Sequence, residues 1–176
     1  MGMVKIDIHK GELFYEQMTL SDPNVIKLLI KYRYKYDPYY MIEQERHFDV
    51  AGDVKPLNQE AIALYAALDE LIKQCKFKKR QLDLIKYVEM GYEFDEIHKI
   101  DERFKRVSVN GMFKRIINKI KQMNDEQWYV CVYKNTIKGE MKKCNRCKKL
   151  LPKNYKFFTP DSTKKDGFKY MCRKCR

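Results

Sequence analysis

The chain has 176 residues, enough for one ordinary domain or two small ones. Its 37 Lys+Arg against 24 Asp+Glu give a formal net charge of +13, and its 44% hydrophobic content is that of a folded chain rather than a disordered one. The longest apolar stretch, Ala61 to Leu68, falls well short of the roughly 20 residues that span a bilayer; the leading MGMVKIDIHKGELF lacks the apolar run of a secretory signal, and Ile6 stands where a myristoylation motif needs Ser or Thr.

A cytoplasmic protein with reduced thiols and no membrane partner is therefore expected. The charge is unevenly spread. Residues 1–72 hold 8 basic and 12 acidic side chains, residues 73–123 hold 14 and 7, and residues 134–176 hold 15 and 3. A mildly acidic first part is thus followed by two basic ones, a gradient that suits a polyanion partner for the C-terminal half.

In chain order, Asp22-Pro23 reads as an N-cap and a proline at the first helical position. A helix over Asn24 to Tyr36 is predicted from Val25, Leu28, Leu29 and Tyr32, broadened by Ile26 and Ile30, with Asp37-Pro38 as its stop. Tyr32, Tyr34, Tyr36, Tyr39 and Tyr40 crowd its end and read as core plus amphipathic rim. Residues 41–56 look like a connection. Leu57 to Cys75 is predicted to be an amphipathic helix, with Ile62, Tyr65, Leu68, Leu71, Ile72 and Cys75 on one face.

Arg80 to Met90 is a further helix, ended by Gly91. A short helix over Phe94 to about Ile100, a charged connection and a third helix capped by Ser108 and running to about Met123 complete this region. On that helix Val109, Met112, Phe113, Ile116, Ile117 and Ile120 form one face. Asn110, Gly111, Lys114, Arg115, Asn118 and Lys121 form the other. Asn pairs with adenine, Arg with guanine, and Lys with guanine or phosphate, so this polar face has the side chains that read a major groove.

The run Gln81-x5-Val88-x2-Gly91-Tyr92-Glu93-Phe94-Asp95-Glu96-Ile97, followed by Ser108-x3-Met112, resembles the region-four helix-turn-helix of bacterial sigma factors and related phage regulators, over roughly Lys79 to Lys121. Glu93 stands where that family favours Ser or Thr, and His98 where it favours a small residue. The resemblance implies base-facing roles for Asn110, Lys114, Arg115 and Asn118, and backbone-contacting roles for Arg103, Lys105, Arg106 and Lys121, with Ser108 at the helix entry.

Trp128 to Tyr133 is aromatic and β-branched and is predicted to be a strand, followed by a turn over Asn135 to Gly139. Cys131 falls within it, off the spacing of the later cysteines, and with Cys75 is assigned to packing. Cys144-Asn145-Arg146-Cys147 and Cys172-Arg173-Lys174-Cys175 then form two C-x2-C pairs. Each pair points two thiolates at one metal, and four soft thiolates argue for a single structural Zn2+ in a closed site. Between them Phe157-Phe158 can roof a small core, and Asp166-Gly167 signals a hairpin turn leading into Phe168 and Tyr170. The module resembles the small zinc-ribbon or treble-clef-like modules of phage proteins. Some of these sit beside an HNH nuclease, but no His-Asn-His set accompanies this one.

The expected fold is mainly α with a small β-containing zinc module: a helical region over residues 1–75 for partner binding or oligomerisation, a sigma-like helix-turn-helix over 76–123, a strand and linker over 124–141, and the four-cysteine zinc ribbon over 142–176. His9, His47 and His98 have no nucleophile or carboxylate arranged around them, and no phosphate loop or dinucleotide fingerprint is present, so no catalytic residue and no enzyme activity is expected. The function expected is that of a phage or prophage transcription regulator binding double-stranded DNA by sequence, with bacterial RNA polymerase or a second copy of the chain as further partner. The alternatives are a DNA-packaging protein of small-terminase type or a nuclease-accessory protein, and a protein-binding inhibitor of host RNA polymerase.

Overall fold

The computed structural model describes residues 18–37, 59–104 and 108–176. Tyr39, Tyr40, His9, His47, Lys105, Arg106, the connection over 41–56 and the predicted start of the second long helix at Leu57 lie outside the described residues. Among the described residues there are six α-helices and four short strands, and the chain divides into two compact units, Met1–Asn124 and Asp125–Arg176.

In the first unit, α1 (Pro23–Lys31) begins as predicted, with Asp22 Oδ1 accepting from the Asn24 amide at 2.8 Å and Pro23 in the first turn. The single helix expected to reach Tyr36 is broken at Tyr32 (φ −115°, ψ 19°), and a separate one-turn helix, α2 (Arg33–Tyr36), follows. Helix α3 (Gln59–Gln74) buries Ala61, Tyr65, Leu68 and Leu71. Helix α4 (Lys79–Glu89) ends before Gly91, whose φ of +90° is left-handed backbone; the Tyr34 ring lies 2.9 Å from where a Cβ would stand, so a side chain there meets both strain and a clash.

Helix α5 (Phe94–Ile100) is entered through Glu93, at the position where the resembled family favours Ser or Thr. Here the Glu96 carboxylate reaches back to accept from the Glu93 amide at 2.8 Å, one half of a capping box. A 3-10 turn, Glu102–Phe104, follows and buries Phe104 completely. His98 Nδ1 donates to the Phe104 carbonyl at 2.9 Å, which tethers this turn to α5. Helix α6 (Val109–Asn135) starts at Ser108, whose Oγ accepts from the Gly111 amide at 3.1 Å. It runs twelve residues past its predicted end.

The apolar faces of α1, α3, α4, α5 and the first half of α6 meet in one core. Ile26, Leu29, Leu68, Leu84, Ile97 and Ile116 are all fully buried there. Each such side chain contributes about 1.5–3 kcal/mol relative to exposure.

Beside this core lies a charged cluster that the periodicity does not reveal. The Arg33 guanidinium donates to Asp37 (Nε, 2.8 Å), to both oxygens of Asp69 (2.5 and 2.7 Å) and to Glu89 (2.9 Å), and its plane lies 5.3 Å from the Tyr65 ring centroid. One arginine thereby ties together α2, α3 and α4. A second arginine acts likewise: Arg103 donates to Asp101 (2.6–3.1 Å) and to Asp83 (2.7 Å), bridging the 3-10 turn to α4.

The second unit contains the last part of α6, two antiparallel hairpins and a closing 3-10 turn. Strands β1 (Met141–Lys143) and β2 (Leu150–Pro152) pair with Lys142 opposite Leu151, and β3 (Phe158–Pro160) pairs with β4 (Phe168–Cys172) through an irregular register. The turn Arg173–Cys175 follows. Phe157 and Phe158 are buried with Cys144 and Cys172, as the sequence reading expects of a miniature core. Gly167 is left-handed (φ +74°), in keeping with its turn role.

The strand predicted over Trp128 to Tyr133 is helix. In helical geometry Tyr129 and Val130 reach the Phe157–Phe158 cluster, and Tyr133 stacks on Tyr129 one turn below at 6.1 Å between centroids. Those contacts override the local β preference. Cys131, expected to pack, is instead exposed on this helix, with the Asn135 amide donating to its sulfur at 3.3 Å. Cys75 is buried as expected.

Replacing Arg33 by Met should cost about 3–5 kcal/mol in urea unfolding, because it strands the buried carboxylates Asp37 and Glu89 without their cation. Burial pushes the Glu89 carboxyl above its ordinary value, against the pull of Arg33, whereas the hydrogen bond from Arg103 holds Asp101 below its own. Glu89 therefore favours the fold below the ordinary carboxylate range and loses that contribution as pH rises through its raised value. Asp101 contributes above that range and loses its share as pH falls. A carboxyl-detected NMR titration should find Glu89 deprotonating well after Asp101.

Candidate functional site

The four cysteines of the two C-x2-C pairs converge. One ligand atom from each of Cys144, Cys147, Cys172 and Cys175 lies within 4.8 Å of all the others. The first pair sits in the loop of the β1–β2 hairpin, where the Cys144 amide donates to Lys149 O at 3.0 Å and the Lys148 amide to Cys144 O at 2.9 Å. Lys148 takes a left-handed φ of 59° to close this turn. The second pair begins at the last residue of β4 and finishes in the 3-10 turn.

Hydrogen bonds from backbone amides tie the two pairs to each other and to their surroundings. The Cys172 amide donates to Cys144 Sγ at 3.3 Å, the Asn145 amide to Tyr170 O at 3.0 Å and the Arg173 amide to Phe157 O at 2.8 Å. Arg146 donates to Cys175 O at 2.6 Å.

The geometry suits a tetrahedral ion. Metal–sulfur bonds of about 2.3 Å place sulfurs about 3.8 Å apart, and Cys147 Sγ lies 3.9 Å from Cys172 Sγ. The amide of Cys172, with those of Cys147 and Arg146, brings the Cys144 thiol down to about 6 against the effect of burial. Burial and the neighbouring thiols push Cys172 up to about 12. The Cys144 thiol is thus the readiest to ionise, and a divalent cation bound in the middle would supply the charge that offsets the raised values of Cys172 and Cys175. Cys144 and Cys172 are buried, and no histidine or carboxylate joins the cluster among the described residues. The closed four-sulfur set is that of a structural ion.

Supporting residues that the sequence reading does not single out surround it. Lys142 on β1 donates to Phe168 O at 2.8 Å and pairs with Asp166, which ties β1 to the loop before β4. Tyr129 on α6 lies 5.8 Å from Phe157 between ring centroids, accepts from Asn154 Nδ2 at 3.3 Å, and has the Lys156 ammonium 4.0 Å from its ring centroid. Tyr133 packs where Gly139 leaves room: a Cβ on Gly139 would fall among the ring atoms of Tyr133. The Tyr129/Tyr133 spacing of four was a signal available in the sequence, but it competes with the β-branched character of the intervening run.

The residues expected to face nucleic acid divide into four groups. Asn110, Lys114, Arg115 and Asn118 are exposed on α6, while Val109, Phe113, Ile116, Ile117 and Ile120 of the same helix are buried. Arg115 Nε donates to Gly111 O at 3.2 Å, which holds the side chain along the helix. Ser108 serves as the cap of α6, and Lys121 is half-buried. Arg103 has its guanidinium on Asp101 and Asp83, so a phosphate would compete with two carboxylates for it. Lys105 and Arg106 lie outside the described residues.

No protein-family model, curated protein or solved structure matches the chain. No helix among the described residues is long and apolar enough to cross a membrane.

Elemental analysis of the purified protein should give one metal ion per chain, and Cys172→Ser should abolish it; full retention in that variant would remove Cys172 from the ligand set. Gly139→Ala should destabilise the second unit by about 1–3 kcal/mol, the usual cost of overpacking. The change would be read as chelator-induced loss of structure at lower chelator concentration than in the wild type.

Proposed function

We propose that this protein is a sequence-specific DNA-binding transcription regulator, phage or prophage encoded, which reads double-stranded DNA with α6 and holds one structural Zn2+ in its second unit. The observation that carries this reading is the division of α6. Its first four turns bury Val109, Phe113, Ile116, Ile117 and Ile120 and present Asn110, Lys114, Arg115 and Asn118 to solvent. These are the side-chain types that pair with adenine, guanine and phosphate. The order α4, α5, α6, with Gly91 after the first and Ser108 before the third, supports the sigma-like helix-turn-helix within it.

Along α6 the cationic row stops at Lys121, and Asp125 and Glu126 follow. Carboxylates beside phosphates are repelled, so the reading segment is the N-terminal part of the helix. Arg103 is better regarded as a structural residue that positions the turn before α6 than as a phosphate contact, since both its carboxylate partners are already in place. The acidic N-terminal region remains the candidate surface for RNA polymerase or a second copy of the chain. The four-sulfur cluster favours zinc over harder ions because thiolates are soft ligands.

Selection of bound sequences from a random duplex library should yield a consensus site. On that site Lys114→Ala and Arg115→Ala should each weaken binding by about 1–3 kcal/mol and relax preference at one position. Affinity should fall steeply with salt. A library that yields no consensus, with the protein instead co-purifying with host RNA polymerase, would favour the inhibitor alternative, and ring oligomers on sizing would favour the packaging one.

A further inference from the structure

The second unit carries an aromatic side chain that neither the metal centre nor its small core uses. Tyr155 is 75% exposed, the most exposed large hydrophobic side chain among the described residues. Its backbone is nevertheless held: the Tyr155 carbonyl accepts from Arg173 Nε at 2.7 Å, and the Arg173 amide donates to Phe157 O at 2.8 Å. Arg173 lies directly after the cysteine at the end of β4. The exposed ring is thus carried on a backbone tied to the residue that follows Cys172, and the exposed Arg173 side chain is held by the carbonyl of the same tyrosine.

The surroundings are strongly cationic. The second unit, residues 125–176, carries 15 basic and 5 acidic side chains. Within the unit Lys142, Lys153 and Lys174 are matched by Asp166, Glu140 and Glu126, which leaves most of the basic groups without an acidic partner of their own.

We propose that the second unit binds single-stranded nucleic acid, with Tyr155 as a stacking platform for one base and Arg173 as the neighbouring phosphate ligand. Base faces inside a duplex are already stacked and offer nothing to a projecting ring. Unpaired bases do offer a face, and rings set in a basic surface are the usual means of binding them. An arginine held through Nε keeps its two terminal nitrogens for a phosphate. A protein partner could also use a tyrosine and an arginine, but so large an excess of positive charge complements a polyanion better. The proposal rests on the second unit alone and is independent of the duplex reading given to α6.

The test uses the full chain with its metal bound and fluorescein-labelled 12-nucleotide DNA and RNA single strands, with the matching duplex as control, read by anisotropy at one salt concentration. Tyr155→Ala should weaken single-strand binding about 5- to 150-fold, the range for losing one stacked base. Tyr155→Phe, which keeps the ring, should stay within about twofold of wild type. The DNA and RNA arms identify the sugar; binding in either supports the proposal. In the wild-type protein, the Tyr155 ring resonances should move upfield on adding the oligonucleotide, a readout that requires no variant to fold. The proposal is overturned if wild type binds neither single strand, if Tyr155→Ala leaves single-strand affinity unchanged or lowers duplex affinity equally, or if the ring resonances stay in place.

Discussion

The apolar side chains of α6 are the surface on which each unit of this protein assembles: Val109, Phe113, Ile116 and Ile120 in the first unit, Tyr129 and Val130 in the second. Because one helix supplies both sets, its length is a structural requirement rather than an accident of propensity. Its exposed N-terminal residues are therefore presented by a segment that buries Val109, Phe113, Ile116, Ile117 and Ile120 on its opposite face. A polar row on a frayed or mobile helix would lose most of its ordering advantage in recognition. Here the entropy of ordering is met by burial on the other side.

The second unit is too small to be stable through its apolar core alone, which consists of a few aromatic rings and half-buried aliphatics. Two other constraints complete it. The four thiols converge on one point, so an ion bound there would link the β1–β2 hairpin to the end of β4. The Tyr129–Tyr133 pair covers the core from α6 and depends on Gly139 having no side chain. An ion bound there and the aromatic cover would stabilise the same few residues, and Arg173, next to Cys172, holds the Tyr155 carbonyl.

Charge in this protein has two distinct uses, and counting residues does not separate them. Arg33 and Arg103 are spent internally, on carboxylates that would otherwise be buried or crowded, and they join helices. Lys114 and Arg115 on α6, and much of the second unit's basic surface, face solvent. The net charge of +13 is the sum of both populations, but only the second is accessible to a polyanion. Arg103 belongs to the first population: its partners Asp101 and Asp83 lie 2 and 20 residues away in sequence and are adjacent in space.

Several features were legible in the residues themselves because their causes are local. Asp22-Pro23 starts α1, Gly91 closes the α4 turn, Ser108 caps α6, and the two C-x2-C pairs name all four thiols that come together. Caps, left-handed glycines and closely spaced ligands act over a few bonds, so sequence alone determined them. The helical state of Trp128 to Tyr133, the exposure of Cys131, the break at Tyr32 and the carboxylate cluster on Arg33 were decided only by tertiary structure. In each case the chain had a reasonable local alternative. What selected the outcome was a partner far away in sequence: Phe157 for Tyr129, and Asp69 and Glu89 for Arg33. Burial and ion pairing at such separations outweigh a β preference of under about 1 kcal/mol per residue.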